Sequence, residues 1–318
     1  VNRAAKFMQD AGFGAAQPQW LPQDASFRRY ARLHGGPRPA MLMDSPPPED
    51  VRPWLRVAAH LHRLGLSAPA VLAADAEAGL LLIEDFGDAT FARLLAAGHD
   101  EAALYALAGQ VLRVLHDGPL AEGLPAWTAP RMAELCAATL LDWWWPAALG
   151  APCPDRVRRE FHDAAIAMLA PFPETAVVLR DFHIDNLMLL PDRPGAAACG
   201  LLDFQDAGLG HPAYDLMSLV EDARRDISVG AREAALAAYG AVDMAAFAAL
   251  GVMRHARVAA LWTRLDRRDG KRQYLRHGPR TWALLERALA HPASAPLAAW
   301  FDAHVPRALR RNPDPVAA

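Results

Sequence analysis

Two apolar stretches near the middle of the chain are each interrupted by acidic and amide side chains: AVVLRDFHIDNLMLL at 176–190 and GLLDFQD at 200–206. Polar groups inside otherwise buryable strands need partners or a task. Residues 187–190 read as one short strand and residues 200–204 as its antiparallel neighbour across PDRPGAAA, so the entrance of the first lies beside the exit of the second. Asn186 and Asp203 then meet at one open end, where their oxygens suit a hard cation such as Mg2+. Asp181, five residues before Asn186, can address the same cleft, orient an acceptor hydroxyl and take its proton during phosphoryl transfer. Taken singly, residues of these types more often cap a helix or close a turn than catalyse. The order of base, amide ligand and acidic ligand is what points to phosphoryl transfer.

The surrounding elements must bring these residues together. SFRRYARLHGGPRPAMLM at 26–43 predicts two short strands joined through His34 to Pro39. After SPPPED at 45–50, Val57, Leu61 and Leu64 share one face of a helix ending around Gly65. GLLLIEDF at 79–86 predicts a buried strand running into a Gly-containing loop, where a lobe boundary falls. From Asp100, the spacing of Leu104, Leu107, Val111 and Leu115 is that of an amphipathic helix. Further helices are expected over 131–145, 156–169, 231–239, 244–265 with Asp243 as cap, and 271–289. The three adjacent tryptophans Trp143 to Trp145 point in different directions on a helix, so core packing is expected for at least two of them. The fold class read from this pattern is α+β. Residues 1–87 form a nucleotide-binding lobe around a small mixed or antiparallel sheet. Residues 88–318 form a larger, mainly helical lobe carrying catalysis and the substrate site.

The 318 residues suffice for two lobes, and a 53% hydrophobic fraction with 22% charged residues describes a packed protein with a polar surface. A formal charge of −3 provides no global field for a polyanion, and no basic aromatic stripe accompanies the arginine clusters, so no nucleic-acid partner is expected. Cys136, Cys153 and Cys199 are widely separated, as reduced structural thiols are. VNRAAKFMQDAGFG carries no export-type apolar run, and other apolar stretches are broken by charge, Gly or Pro. The reading is a cytoplasmic protein with no membrane partner; its oligomeric state is left open.

LRDFHIDN at 179–186 resembles the catalytic loop of the aminoglycoside phosphotransferase and choline kinase superfamily, and LLDFQDAGLGHPAYDL at 201–216 resembles its metal-binding continuation. With LLIEDFG, the resemblance spans most of residues 20–285 and implies a two-lobed, protein-kinase-like fold that uses ATP and Mg2+. It assigns the base to Asp181, metal ligation to Asn186 and Asp203, support of the catalytic loop to Asp215, and orientation of the base or substrate contact to His183. Leu179 stands where related loops commonly carry His, and Gln205 where protein kinases carry Gly, which favours a small-molecule acceptor. ASFRRYARL at 25–33 is similar to the phosphate-covering strand and turn, with Ser26, Arg28 and Arg29 as phosphate contacts. Glu84, Asp85 and Phe86 fall at the adenine hinge. AMLMD at 40–44 leaves Met43 near the usual place of a phosphate-pairing lysine, so another cation, or heavier use of the metals, must supply that charge if the chain is active.

The combination ASFRRY, MLMDSPPPED, LRDFHIDN and LLDFQDAGLG is similar to bacterial N-acetylmuramate/N-acetylglucosamine anomeric kinases. That resemblance implies an amino-sugar substrate phosphorylated at the anomeric hydroxyl in cell-wall recycling, with Trp143 to Trp145, Asp206 and Arg224 as sources of sugar contacts. The alternatives are a kinase for an aminoglycoside, choline or another hydroxylated metabolite, and a catalytically silent nucleotide-binding module.

Overall fold

The computed structural model describes residues 3–22 and 27–315. Five strands build the amino-terminal sheet: β1 Gln17–Trp20, β2 Arg29–His34, β3 Ala40–Asp44, β4 Val71–Asp75 and β5 Leu80–Glu84. Their order is β1-β2-β3-β5-β4 and every neighbouring pair is antiparallel. The sheet has two buried faces because its side chains alternate. Ala31, Leu33, Ala40, Leu42, Leu80 and Leu82 pack with Ala4 and Met8 of helix Arg3–Asp10 into a small core. Met43, Leu81 and Ile83 point the other way, into the main core, which also takes Trp54, Val57 and Leu61 of helix Arg52–Arg63.

The predicted strands on either side of His34 to Pro39 are β2 and β3, and the buried strand before the hinge is β5. Strands β1 and β4 are additions to the sequence reading. β1 is exposed along its whole length and β4 along much of it, so neither carries the apolar alternation by which a strand is recognised.

The larger lobe is helical and dense. Helices Glu101–Asp117 and Val229–Tyr239 approach so closely that a Cβ on Gly109 would lie 2.4 Å from the Ala235 carbonyl oxygen. The central helix, Met244–Asp269, starts where the Asp243 carboxylate accepts the N–H groups of Ala245 and Ala246, at 2.9 and 3.0 Å. It is long and apolar enough to cross a membrane, yet 67% of its most apolar window is buried inside the protein's own core. The helix expected over 131–145 is instead Ala129–Thr139 followed by a π-helical turn, Leu140–Trp144, and the short helix Trp145–Leu149. In that arrangement Trp144 packs on Trp282 at 5.1 Å and donates its indole N–H to Arg311, and Trp145 packs on Trp300. Both are core residues, which removes them as sugar contacts. Helix Ala213–Val220 was not anticipated because all eight of its side chains are buried, leaving no polar face to mark a helical period.

The two parts of the chain are joined by more than the hinge. The Ser67 hydroxyl donates to the Ala197 carbonyl at 2.6 Å, and the Leu201 N–H donates to the Ser67 carbonyl at 2.7 Å. Glu84, at the end of β5, forms an ion pair with Arg193.

Gly79 fixes the exit of β3. It has φ +68°, its carbonyl accepts the Ser45 N–H at 2.8 Å, and an added Cβ would sit 2.2 Å from the Ser45 carbonyl oxygen. Gly79→Ala is therefore expected to destabilise by about 2 kcal/mol or more, combining left-handed strain with a backbone clash. Gly98→Ala, with φ +86° but nothing within 4 Å of the added carbon, should lose only about 1 kcal/mol. Urea unfolding of the two variants checks the ordering, and equal losses would contradict it.

Candidate active site

Two hairpin-like pairs carry the site. β6 Ala176–Val178 pairs with β9 Gly208–Gly210, and β7 Leu187–Leu189 pairs with β8 Cys199–Leu201, with Leu187 opposite Leu201. The pairing is as the sequence predicts, although both strands end sooner than 190 and 204. The Leu202 N–H donates to the Asn186 carbonyl at 2.9 Å, which places Asn186 beside the residue preceding Asp203.

The catalytic loop turns sharply at Arg180, whose φ of +71° lies in the left-handed region. A non-glycine residue holds such a conformation only when its surroundings over-determine it, at a strain of about 1–3 kcal/mol. Here four contacts do so. The Arg180 N–H donates to Asp215 at 2.9 Å, and its carbonyl accepts from Arg254 at 3.1 Å. Its guanidinium donates to the Asp206 carbonyl at 2.9 Å and lies 4.0 Å from the centre of the Trp127 ring. Asp215, fully buried, also accepts the Leu179 N–H at 2.6 Å. The Leu179 side chain is buried, so an apolar contact occupies the place where related loops carry an imidazole.

Asp181 follows this turn, half-buried. Its carbonyl accepts the Asn186 side-chain N–H at 3.0 Å, and the same amide group lies 3.3 Å from His183 Nε2. The amide nitrogen is thereby occupied and the Asn186 oxygen remains as a ligand. Asp203 is the second non-glycine residue with positive φ, at +55°; one carboxylate oxygen accepts the Gln205 amide at 2.8 Å. Gln205 thus braces the residue it follows by two positions. The described residues contain no cluster of three or more His, Cys, Asp or Glu able to hold a metal. One carboxylate and one amide oxygen fit Mg2+, which retains waters and takes phosphate oxygens rather than requiring a full protein cage.

His183 is buried, and burial, followed by the charge of Arg224, holds its pKa below the ordinary histidine value. It is consequently neutral near pH 7. Its ring also feels Asp222, Arg254 and Asp181, so both signs of charge surround the base.

A cavity of about 680 Å³ opens between the sheet and this hairpin, with Tyr30, Met41, Phe86, Asn186, Asp203 and Asp206 in its wall. Glu84 and Asp85 border it, but their carboxylates are engaged elsewhere: Glu84 with Arg193 and the Ala70 N–H, Asp85 with Arg32 at 2.7 Å. Phe86 lies against Gly200, where an added Cβ would meet the ring at 2.8 Å. Among the described residues the N–H and C=O of Phe86 make no hydrogen bond, so they are available to an adenine edge.

The expected phosphate contacts separate. Ser26 lies outside the described residues. Arg29 borders the cavity, but its guanidinium is committed to the buried Asp44 and the face of Trp20. Register explains this: Arg29 pairs directly with Asp44 on β3. Arg28 turns to the cleft side, half-buried and 3.2 Å from Glu49. Arg224 is exposed; its backbone N–H donates to Asp222 at 2.8 Å. The sequence reading did not single out Arg32, Asp222 or Arg254. Asp222 and Arg254 belong to no local motif, and Arg254 reaches the catalytic loop from a helix more than 70 positions later.

Burial raises the pKa of Asp215 to about 6, despite the opposing effect of two backbone hydrogen bonds. Folded Asp215 therefore retains a proton at pH values where the unfolded chain has lost it. Its ionisation takes nothing from stability below about pH 4, and removes progressively more as the pH rises through about 6. The stability of the wild type relative to Asp215→Asn should accordingly fall by roughly 2–3 kcal/mol between about pH 4 and pH 7. Urea titrations across that range read the difference directly, and a difference independent of pH would refute this titration.

Residues 19–250 match the family model described as "Phosphotransferase enzyme family". The chain is 38% identical to the N-acetylmuramate/N-acetylglucosamine kinase of Caulobacter vibrioides over 96% of its own length and 97% of the relative's. It is 33% identical to the kinase of the same name from Pseudomonas aeruginosa, over 88% and 86%. A choline/ethanolamine kinase family protein from Mesorhizobium loti superposes with a TM-score of 0.61 at 15% identity, covering 89% of this chain and 92% of that one. The two-lobed fold, the clamped catalytic loop and these matches agree: the chain belongs to the phosphotransferase enzyme family, with the aminoglycoside phosphotransferase and choline kinase fold that its central motifs resemble.

Proposed function

We propose that the protein transfers the γ-phosphoryl group of ATP to the anomeric hydroxyl of N-acetylmuramate and N-acetylglucosamine, giving a sugar 1-phosphate and ADP, and that it does so in the cytoplasm during cell-wall sugar recycling. The observation that carries this reading is the over-determined turn at Arg180, after which the Asp181 carbonyl accepts the Asn186 side-chain amide, with Asn186 and Asp203 in the wall of one cavity. It is supported by relatives of that name that match nearly the whole chain.

In the mechanism that follows, the Asp181 carboxylate accepts the proton of the anomeric hydroxyl as its oxygen bonds to the γ-phosphorus. The bond from that phosphorus to the β–γ bridging oxygen breaks, and ADP departs with the electron pair. Asn186 and Asp203 would hold Mg2+, which when bound neutralises charge developing on the phosphates. Neutral His183 can donate or accept a hydrogen bond to the sugar, and the hinge backbone at Phe86 binds the adenine.

A cationic acceptor such as an aminoglycoside or choline calls for an acidic wall. Around His183, Arg224 and Arg254 stand among Asp181 and Asp222. This mixed environment accommodates a sugar bearing a carboxylate.

Asp181→Asn keeps the side-chain size but removes the proton acceptor. Single-turnover transfer to N-acetylmuramate should fall by about 100-fold or more, with ATP affinity little changed. Near-normal transfer in the folded variant would remove Asp181 as the base. Wild-type protein assayed against N-acetyl sugars, aminoglycosides and choline, with the phosphorylated position determined, tests the substrate; transfer only to another hydroxyl, or to a cationic acceptor, would overturn the assignment.

A further inference from the structure

In kinases with this architecture a strand lysine pairs with the ATP phosphates and is itself held by a glutamate on the adjoining helix. Here that strand position is Met43, wholly buried in the main core, and it supplies no charge. The cation must enter the cavity from another position.

β2 offers one. Tyr30 is the direct cross-strand partner of Met43, and Arg28, two residues earlier, projects to the same side of the chain. A diagonal neighbour across two strands is about 7–8 Å away, a gap that an arginine side chain spans. Arg28, Tyr30 and Asp203 line the same cavity. The Tyr30 side chain feels the charges of both Arg28 and Asp203, so all three share one electrostatic neighbourhood.

The partner is also in place. Arg28 Nε lies 3.2 Å from Glu49 Oε2, with the two side chains 13% and 23% exposed. Glu49 belongs to the loop that leads into helix Arg52–Arg63, whose Trp54 lines the same cavity. The other described arginines in the wall are held by carboxylates away from Glu49 and from helix Arg52–Arg63. Arg29 is paired with Asp44, Arg32 with Asp85 and Asp88, and Arg93 with Asp88.

We infer that the Arg28–Glu49 pair performs the work of the missing lysine–glutamate pair: Arg28 grips the phosphate oxygens of the nucleotide, and Glu49 holds the guanidinium extended over the cavity. A planar guanidinium always carries its charge and can donate two parallel hydrogen bonds to phosphate. It can therefore replace an ammonium group from a strand farther out. This rests on the nucleotide-dependent reading above, but not on the identity of the acceptor.

The test is calorimetric titration of the protein with ADP, ATP and adenosine in excess Mg2+, without sugar. Arg28→Ala should weaken ADP and ATP by about 10- to 100-fold, as loss of charge-assisted hydrogen bonds does, while adenosine affinity stays within about two-fold. Arg28→Lys should recover part of the loss, and Glu49→Gln should weaken ADP a few-fold. Wild-type ADP affinity in a folded Arg28→Ala protein would overturn the inference, as would an equal loss for adenosine, because that would signal a structural role. Unchanged ADP affinity in Glu49→Gln would remove Glu49 from the pair. A wild-type protein that binds ADP but phosphorylates no N-acetyl sugar would defeat the acceptor assignment alone.

Discussion

A single buried carboxylate holds the active site in shape. Asp215 has no exposed surface and accepts the N–H groups of Leu179 and Arg180. Those donors sit at the point where the chain leaves β6 and enters a left-handed residue, where no regular ladder can satisfy them. Without this acceptor, two buried backbone donors would be orphaned and the strained turn at Arg180 would relax. The direction in which Asp181 leaves the turn depends on that constraint. So does the reach of Asn186 back to the Asp181 carbonyl.

Around that fixed point, arginines act mainly as fasteners. Arg254 ties the central helix to the turn, Arg193 joins the hairpin to the end of β5, and Arg32 pins the start of the interlobe linker through Asp85 and Asp88. A net charge of −3 conceals this, because many of the positive groups are paired locally with carboxylates and the sum reports only the remainder. The partly buried pairs bridge elements distant in sequence and gain from reduced screening. Exposed pairs within one helix, such as Arg156 with Glu160, contribute little.

The cavity wall shows how register decides function among similar residues. Arg28, Arg29 and Arg32 lie within five consecutive positions, yet they meet Glu49, Asp44 and Asp85 respectively. Side chains alternate along a strand, so adjacent arginines are sent to opposite faces. Register thus pairs the Arg29 guanidinium with Asp44 at the border of the cavity.

By itself, the sequence determined the two-part architecture, the β2–β3 and β7–β8 hairpins, the Asp243 cap and the meeting of Asn186 with the strand end that leads to Asp203. The hairpins and the cap are encoded locally, and the larger arrangement follows from the succession of such local signals, where period, punctuation and side-chain chemistry act. Only the tertiary structure decided the rest. Helix Ala213–Val220 has no polar face to betray it, and β1 has no buried one. The last two members of the tryptophan run are drawn into the core by a π-turn and by Trp282 and Trp300, far along the chain. The brace from Arg254, the capture of Glu84 by Arg193 and the separate fates of Arg28 and Arg29 depend on partners brought together by packing and strand register. Such pairings follow from which surfaces are buried together, and that is a property of the folded chain rather than of any segment of it.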